Sequence, residues 1–418
     1  MKVQMKSDNI QHTMDRSKKV HFSKIQQFSH DRISHNETVN GKYVKSGQDN
    51  LFPQHLIALY NDSSIHASAV NATVEAIVGG GLTANFEPAL ERANSKGDTW
   101  NDVFTKVSLD YYLHGSFALE VIWSLDRTKI AEVHHIDFSF VRAHERDNKG
   151  IIPGYYISSK WDQYGSTRAK DVDYLPTYDP LSKQEEPNQL FVVRNYRPGQ
   201  EYYPLPTYNG ALRVIELDAA VDDFHKNNIE NGLAPSVAIT TFTNGSDDDI
   251  RDIEKNLRAN YGGTTNAGAM IYMDVDQPEN APKIEPIPQN GADGYYTTIN
   301  DVTTQKILTG HRITSPMMLG IKTESQLGGR DEVVDAFLLW FNTVIEPLQQ
   351  DILRQLEILI DVNYDNLTIG VKRKKLYDDG EEVEDIVTSV ETSDDEDRLI
   401  NEQLDNEETL KSEENFVS

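Results

Sequence analysis

The residues best suited to bind a metal lie in the run His134-His135-Ile136-Asp137. Imidazole and carboxylate groups are common ligands of Zn²⁺. The run has the composition of a strand, and adjacent residues of a strand point to opposite faces, so His134 and His135 do not easily bind one ion. We therefore predict a strand near the surface and no metal site.

Two glycine-rich segments could bind phosphate groups. Gly79-Gly80-Gly81 lacks the Lys-Ser/Thr pair of a P-loop, and it follows a predicted helix where a P-loop follows a strand. The segment from Tyr261 to Gly268 also follows a predicted helix and precedes a strand. We interpret both segments as turns at helix ends.

The sequence contains none of the common hydrolase motifs. Gly-x-Ser-x-Gly and His-Glu-x-x-His are absent, and aspartate pairs such as Asp222-Asp223 fit solvated faces of an acidic chain. The absence of cysteine removes thiolate nucleophiles and disulfides. We predict no catalytic residue, no cofactor and no enzymatic activity.

The charge is distributed unevenly along the 418 residues. The net charge is −27, and residues 376–418 carry 17 Asp/Glu against Arg398 and Lys411. Residues 1–50 carry 9 Lys/Arg against 5 Asp/Glu. An acidic balance disfavours ordinary nucleic-acid binding, which depends on neutralising phosphates, but it suits a surface past which DNA slides. No apolar run approaches the roughly 18 residues that a membrane span needs, so we expect no membrane partner.

A run of predicted helices followed by a run of predicted strands is typical of the α+β class. The apolar spacing predicts helices starting near Pro53 and Ser64 and helices over 99–113, 212–231, 247–261 and 295–311. It predicts strands over 117–124, 133–141, 154–161, 190–194, 236–242, 269–275 and 283–288. We expect residues 162–190 to be a long polar loop, residues 1–50 a flexible basic arm, and residues 376–418 a disordered acidic tail.

The segment from residue 295 to residue 360 places a loop between two helices. Pro316 ends the first helix, Gly320 gives the backbone freedom, and an apolar helix runs from Asp331 to about Ile360. The methionines Met317 and Met318 are expected to be exposed in this loop. Taken alone, the loop could instead be a buried turn between two packed helices.

Four segments in this order resemble the portal proteins of tailed double-stranded-DNA phages, over about residues 50–360. Tyr111–Ala118 is similar to the family's helix end followed by a strand, and Phe224–Pro235 is similar to its stem-helix exit. Asn260–Gly268 resembles its glycine turn. Ile313–Gly320, followed by Leu327-Gly-Gly329 and the long helix, resembles its Pro-x-x-Leu-Gly segment.

The resemblance implies a ring of identical subunits, usually twelve, at one capsid vertex, with double-stranded DNA passing through its axis. It implies a wing (51–210), stem helices (211–232 and 294–311), a small α/β clip (233–293), a tunnel loop (312–330), and a long wing helix with the start of a crown (331–375). The acidic tail stands where many members have a helical crown. The implied partners are the terminase large subunit, a head–tail adaptor and the major capsid or scaffold protein. The implied locations are the virion and, during assembly, the host cytoplasm.

The resemblance also implies roles for individual residues. Those of the tunnel loop, facing DNA, are Ser315, Pro316, Met317, Met318, Leu319, Gly320, Ile321 and Lys322. Those of the stem are Asp222, Lys226, Asn231, Gly232, Lys306 and Arg312. Those of the clip, docking terminase or adaptor, are Asp248, Arg251, Glu254, Arg258 and Tyr261.

Two other functions fit the same sequence. An acidic scaffold or tail-assembly protein would use the helix over 331–360 as a different oligomer seam, and its rings or filaments would lack a DNA channel. A hydrolase using Asp/Glu and a divalent metal would lose activity on chelation.

Overall fold

The computed structural model describes residues 38–39, 43–161, 172–230, 237–241, 270–274, 292–319, 330–364, 366–374 and 387–389. Its helices are α1 (Phe52–Asp62), α2 (Ser64–Val78), α3 (Trp100–His114), α4 (Leu212–Glu230), α5 (Ala292–Gly310), α6 (Arg330–Trp340) and α7 (Glu346–Ile360). Its strands are β1 (Thr38–Val39), β2 (Tyr43–Val44), β3 (Leu82–Ala84), β4 (Ser116–Trp123), β5 (Ile130–Ile136), β6 (Val141–Ala143), β7 (Gly154–Ile157), β8 (Asp173–Pro176), β9 (Asn188–Arg194), β10 (Val237–Thr241), β11 (Met270–Asp274), β12 (Ile369–Lys372) and β13 (Val387–Ser389). The mixture of helices and mainly antiparallel strands confirms the predicted α+β class. None of the described helices is long and apolar enough to cross a membrane.

The chain divides into two compact units. The smaller unit contains residues 220–296, and its strands β10 and β11 pair in parallel from Val237↔Met270 to Thr241↔Asp274. Parallel neighbours need a crossover connection, as the predicted strand–helix–strand order provides. The predicted helix over 247–261 and the strand over 283–288 lie outside the described residues.

The larger unit contains residues 30–219 and 297–418 and holds three antiparallel sheets of three strands. Their strand orders are β5-β4-β9, β6-β7-β8 and β13-β12-β3. The main hydrophobic cluster packs α2, α3 and α7 against β4, and Val103, Phe104, Leu119, Ile352 and Leu356 have no exposed surface. A second cluster joins α1, α2, α3 and the start of α4 to the end of α5.

Local signals explain where α2 and α3 begin and end. The Ser63 hydroxyl accepts a hydrogen bond from the His66 amide and caps α2, while Thr99 and Asp102 form a reciprocal capping box at the start of α3. Gly115 ends α3 with φ +76°, a conformation that glycine adopts without the steric cost of a Cβ. The predicted helix boundaries at Gly79 and Gly115 are confirmed.

The prediction of one continuous strand over 133–141 is wrong, because β5 ends at Ile136 and β6 begins at Val141. Asp137 accepts a hydrogen bond from the Ser139 amide, and a 3₁₀ turn over Phe138–Phe140 separates β5 from β6, which lie in different sheets. The Asp110 carboxylate also accepts from the Phe138 amide, 3.0 Å away. A side chain from a helix thus stabilises the break, and the strand pattern gave no sign of that contact.

Three segments predicted to lack regular structure contain strands. Strand β8 lies inside the expected polar loop and pairs with β7. In the expected N-terminal arm, β1 pairs with β2, and Val44 is buried in a cluster with β4 and β6. In the acidic tail β13 pairs with β12. These strands have two to four residues, too few for a period-2 pattern to be recognised, so only their pairing partners define them.

The predicted long helix over 331–360 contains an irregular turn. Residues Phe341–Ile345 form a π-helical turn between α6 and α7, directly before Pro347. Proline has no N–H, so Pro347 cannot donate to the carbonyl of Thr343 four residues earlier. The wider π turn accommodates the proline without ending the helix.

Candidate functional site at the junction of two helices

The described part of the predicted loop, residues 311–319, is a packed turn at the end of α5. Gly310 lies against Ala211, and a Cβ added to Gly310 would overlap the Ala211 side chain. After it the backbone turns at Arg312, whose φ of +59° is unusual for a residue other than glycine. Three main-chain hydrogen bonds hold the turn, from His311, Arg312 and Ile313 to the carbonyls of Ile307, Thr309 and Leu308.

His311 fixes this turn to the core. Its Nδ1 is 2.8 Å from the Tyr112 hydroxyl, and its Nε2 is 2.9 Å from Nδ1 of His66. The ring stacks on Tyr208 at 4.7 Å between centroids. Burial lowers the pKa of His311 well below its usual value, and the neighbouring His66 lowers it further. The imidazole is therefore neutral at pH 7 and acts as a structural link.

Arg312 and Thr314 connect the turn to the long helix. Nη2 of Arg312 donates a hydrogen bond to the Thr343 carbonyl, 3.1 Å away. This is the carbonyl to which Pro347 cannot donate. The Thr314 hydroxyl donates to the Ala336 carbonyl over 2.8 Å. Both contacts join the loop base to the long helix, more than twenty residues further along the chain.

The residues Pro316–Leu319 form one turn of 3₁₀ helix. The Met318 amide donates to the Ser315 carbonyl, and Met318 and Leu319 pack against the main hydrophobic cluster. Met317 and Met318 are half-buried, so the prediction of exposed methionines is wrong for these two residues. The nearby surfaces of α2 and α6 give them a packing surface that the local sequence does not reveal. Gly320, Ile321 and Lys322 lie outside the described residues.

A cavity of about 400 Å³ lies beside this turn. Apolar side chains of Ile313, Met317, Met318, Phe337 and Trp340 line it, together with the amide of Gln349. Nε1 of Trp340 and Oε1 of Gln349 are buried without a hydrogen-bond partner in the described part of the chain. The turn thus borders a mainly apolar space whose lining also includes the charged residues Glu75, Arg373 and Lys374.

Four of the predicted stem residues can be placed. Asp222 and Lys226 lie on α4, Lys306 lies on α5, and Arg312 follows α5, all with exposed side chains. Asn231 and Gly232 lie outside the described residues, as do the clip residues Asp248, Arg251, Glu254, Arg258 and Tyr261.

Sequence reasoning missed the residues that hold the turn. His66, Tyr112, Tyr208 and Thr343 come from four different segments, and His66 is 245 positions from His311. No spacing rule connects residues so far apart. One local signal was present, since Pro347 inside an apolar helical pattern predicts an irregular turn that leaves a carbonyl for another donor.

Comparison with solved structures shows which fold this arrangement belongs to. A chain of the virion of a native gene transfer agent particle matches with a TM-score of 0.50 and 15% identity, covering 79% of this chain and 86% of that one. A chain from the neck of an empty gene transfer agent particle matches with a TM-score of 0.49 and 15% identity, covering 75% and 83%. An uncharacterized protein of Rickettsia bellii (strain RML369-C) is 24% identical over 219 residues, 49% of this chain and 54% of the relative. The chain thus spans about half the length of that curated relative.

The sequence match is to a family whose description is phage portal protein, and it covers residues 85–366. This range includes α3, most of the antiparallel sheets, the turn at residues 311–319 and the long helix. The chain belongs to the phage portal protein family.

Proposed function

We propose that this chain is the subunit of a portal ring at one capsid vertex, through which double-stranded DNA passes during packaging and ejection. Membership of the portal family supports the proposal. The fold is also similar to that of a chain in the virion of a gene transfer agent particle. We expect about twelve copies in the ring. We expect the ring to assemble in the host cytoplasm and to become part of the virion.

The observation that carries the ring is exposed apolar surface on the helices assigned to the stem. Leu217 on α4 is 43% exposed and Val302 on α5 is 45% exposed. Both line a cavity of about 180 Å³, together with Ile299 and Lys306. Because apolar surface on a regular helix is stabilised by burial, a second copy packed on this face would remove it from water.

The long helix formed by α6 and α7 also carries exposed apolar residues. Leu338 and Leu339 on α6 are 39% and 58% exposed, and Ile358 on α7 is 46% exposed. A ring gives each subunit two neighbours, and neighbours that meet head to tail bury two different faces of every copy. Apolar surface on separate helices therefore fits a ring better than it fits a two-fold dimer.

The segments take their portal roles in this proposal. Residues 51–210 and 331–375 form the wing, 211–232 and 294–311 the stem, 233–293 the clip, and 312–330 the tunnel loop. The packed turn over residues 311–319, in which Ser315 is buried contrary to its predicted role, is the fixed base of the tunnel loop, and residues from Pro316 to Lys322 face the DNA. The clip docks the terminase large subunit and later the head–tail adaptor, while the wing contacts capsid or scaffold protein.

The charge of the chain suits a conduit. Each copy has a net charge of −27, and a ring of like-charged subunits repels phosphate, which weakens DNA binding and permits sliding. The apolar and half-buried residues Met317 and Leu319 offer contact without ion pairs. The sequence has no nucleotide-binding motif, so an ATPase partner would supply the work.

Size-exclusion chromatography with light scattering, followed by negative-stain electron microscopy, tests the ring. We expect rings of about twelve subunits with a central channel for the natural sequence. Val302→Asp should leave a folded monomer by circular dichroism, because it places a charge in the apolar seam. Leu125→Asp is the matched control, because Leu125 is 98% exposed in the turn between β4 and β5, and this variant should still form rings.

Other outcomes separate the alternatives. Rings or filaments without a channel of DNA width would favour the scaffold or tail-assembly protein. Hydrolytic activity that chelation removes would favour the hydrolase. A chain that stays monomeric, both alone and when produced with capsid and scaffold proteins, would contradict the portal proposal.

A further inference from the structure

Three side chains with metal-binding chemistry meet between α3 and the end of β5. Asp110 and His114 are four residues apart on α3 and so share one face, and Asp137 follows β5. One potential ligand atom from each lies within 4.8 Å of the others. Asp110 is 7% exposed and His114 is 3% exposed, so two members of the cluster are almost fully buried.

The two carboxylates are held by hydrogen bonds that leave part of each group available. Oδ2 of Asp110 accepts from Nε2 of His135 (2.8 Å) and from the Phe138 amide (3.0 Å). Oδ1 of Asp137 accepts from the Ser139 amide (2.8 Å). A carboxylate that is oriented through one oxygen presents the other in a fixed direction, as in metal sites whose ligands are held by surrounding groups.

His114 supplies an independent indication of a ligand. Its Nδ1 is buried and has no hydrogen-bond partner among the described residues. A buried polar atom of this kind needs a bound ion or a water molecule to satisfy it.

We propose that Asp110, His114 and Asp137 bind one divalent transition-metal ion of the Zn²⁺ class. One imidazole and two carboxylates form the mixed nitrogen and oxygen set that Zn²⁺ accepts, whereas Ca²⁺ and Mg²⁺ prefer oxygen alone. Ligand atoms at roughly 2.0–2.2 Å from a tetrahedral metal lie about 3.3–3.6 Å apart, so side-chain adjustments of about 1 Å close the site.

The ion would be structural. It would join the last turn of α3, directly before Gly115, to the corner where β5 gives way to the 3₁₀ turn. The nearby guanidinium of Arg142 opposes a cation at His114, while the two carboxylates favour one. Without a metal, the same residues would form a buried polar cluster that binds no ion. This inference is independent of the proposed portal function.

Metal analysis of the purified full chain tests the proposal. After treatment with a chelator, the chain is loaded with Zn²⁺, desalted and measured by inductively coupled plasma mass spectrometry. We expect about one Zn²⁺ per chain, and a rise in Tm on loading of about 2–4 °C. Co²⁺ in place of Zn²⁺ should give visible d–d absorption bands that report the coordination geometry.

Two variants with different effects on folding locate the site. Asp137→Asn keeps an oxygen that accepts from the Ser139 amide but loses the second carboxylate oxygen, and His114→Leu replaces the unpaired imidazole with an apolar group of similar volume. Each should weaken Zn²⁺ binding at least tenfold, while His144→Gln, a histidine outside the cluster, should bind as the natural chain does. A chain that retains no Zn²⁺ would overturn the proposal. So would Zn²⁺ binding that survives both substitutions, which would assign the metal to histidines elsewhere, such as those in residues 1–50.

Discussion

Nε2 of His311 lies 2.9 Å from Nδ1 of His66, so the end of α5 is hydrogen-bonded to the first turn of α2 through two buried imidazoles. Since the other nitrogen of His311 contacts the Tyr112 hydroxyl, both nitrogens of that ring are engaged. Burial lowers the pKa of His66 to about 4. Burial, together with the neighbouring His66, lowers the pKa of His311 well below its usual value. Burial therefore favours the state in which both rings are neutral.

The first prediction is a loss of stability in mild acid. Unfolded histidines take up protons near pH 6.5, whereas the pKa of folded His66 is about 4 and the pKa of folded His311 is also well below its usual value. The folded state is therefore fully stabilised above pH 6.5, and stability falls as pH drops from 6.5 toward 4, by about 1.4 kcal/mol per pH unit for each histidine. Between pH 7.0 and 5.5 we expect urea unfolding to show a loss of about 1–3 kcal/mol.

The double variant His66→Gln/His311→Gln tests the source of this slope. It should be less stable at pH 7.0 but should lose less stability on acidification, because the two titrating groups are gone. His114, whose pKa burial also lowers, retains its own share of the slope. His144→Gln is the control, and a slope unchanged in the double variant would show that other groups carry the acid sensitivity.

The second prediction concerns Arg312 and the Thr343 carbonyl. Arg312→Ala removes the hydrogen bond and keeps a residue with a Cβ at φ +59°, so we expect a loss of about 1 kcal/mol in the free energy of unfolding. Arg312→Gly loses the same bond but relieves the backbone strain, which is worth about 1–2 kcal/mol, and should be nearly as stable as the natural chain. Urea unfolding measures both differences.

Hydrogen exchange separates the anchoring role of Arg312 from its effect on stability. Amides over residues 313–319 should exchange faster in both variants, because the turn loses its contact with the long helix, whereas amides of β4 should not change. Protection of the turn that is equal in all three proteins would show that Thr314 and the apolar contacts hold it without Arg312.

The third prediction concerns the two methionines of the turn. Met318 packs against the main cluster, so Met318→Ala should cost about 1–2 kcal/mol, less than the 2–5 kcal/mol of a fully buried methionine. Met317 lines the open cavity and should cost less on the same change. Thermal or urea unfolding measures the loss of stability in each variant. A greater loss for Met317→Ala than for Met318→Ala would contradict the assignment of the packing contact to Met318. Met317→Ala is then the better variant for testing DNA retention in assembled particles.

The fourth prediction concerns the buried guanidinium of Arg142. It donates to Oδ1 and the carbonyl of Asn50 (both 2.7 Å), to the carbonyls of Ser139 and Val141 (2.9 and 2.8 Å), and it lies over the ring of Trp161. Burial lowers its pKa to about 10, so it remains charged at pH 7. Arg142→Lys keeps the charge but cannot reproduce the fork of donors, and we expect a loss of about 2–4 kcal/mol.

A double-mutant cycle with Asn50→Ala checks this assignment. The two residues should show a coupling of about 1 kcal/mol, because Asn50→Ala removes the Oδ1 acceptor of the Arg142 Nε–H while it keeps the backbone carbonyl. Additive losses, or a stable Arg142→Lys variant, would show that Arg142 does not join the segment near residue 50 to the sheet of β6.

The sequence predicted those features whose signals lie within a few residues. Helices α2 and α3 could be bounded because Ser63, Thr99 and Gly115 act on amides and carbonyls of their own first and last turns. The apolar period of the long helix was readable for the same reason. The α+β class and the portal family followed from the order of such elements and from short motifs between them.

The tertiary structure decided which separate segments meet. Strands β8, β12 and β13 are too short to be recognised without their partners, and the break at Asp137 depends on a carboxylate from α3. Met318 was expected to be exposed because the sequence around it resembles a loop, yet its turn packs against α2 and α6. The cluster of Asp110, His114 and Asp137 escaped notice because only its i, i+4 pair lies within one element.

This division has a physical cause. Helix caps and periodicity depend on hydrogen bonds and steric contacts between residues up to about four positions apart, which any stretch of sequence contains in full. Burial, pKa shifts and the pairing of His66 with His311 depend on groups brought together from distant positions by packing of the whole core. The sequence alone therefore determined the elements and the family, and only the folded chain determined what holds the candidate site in place.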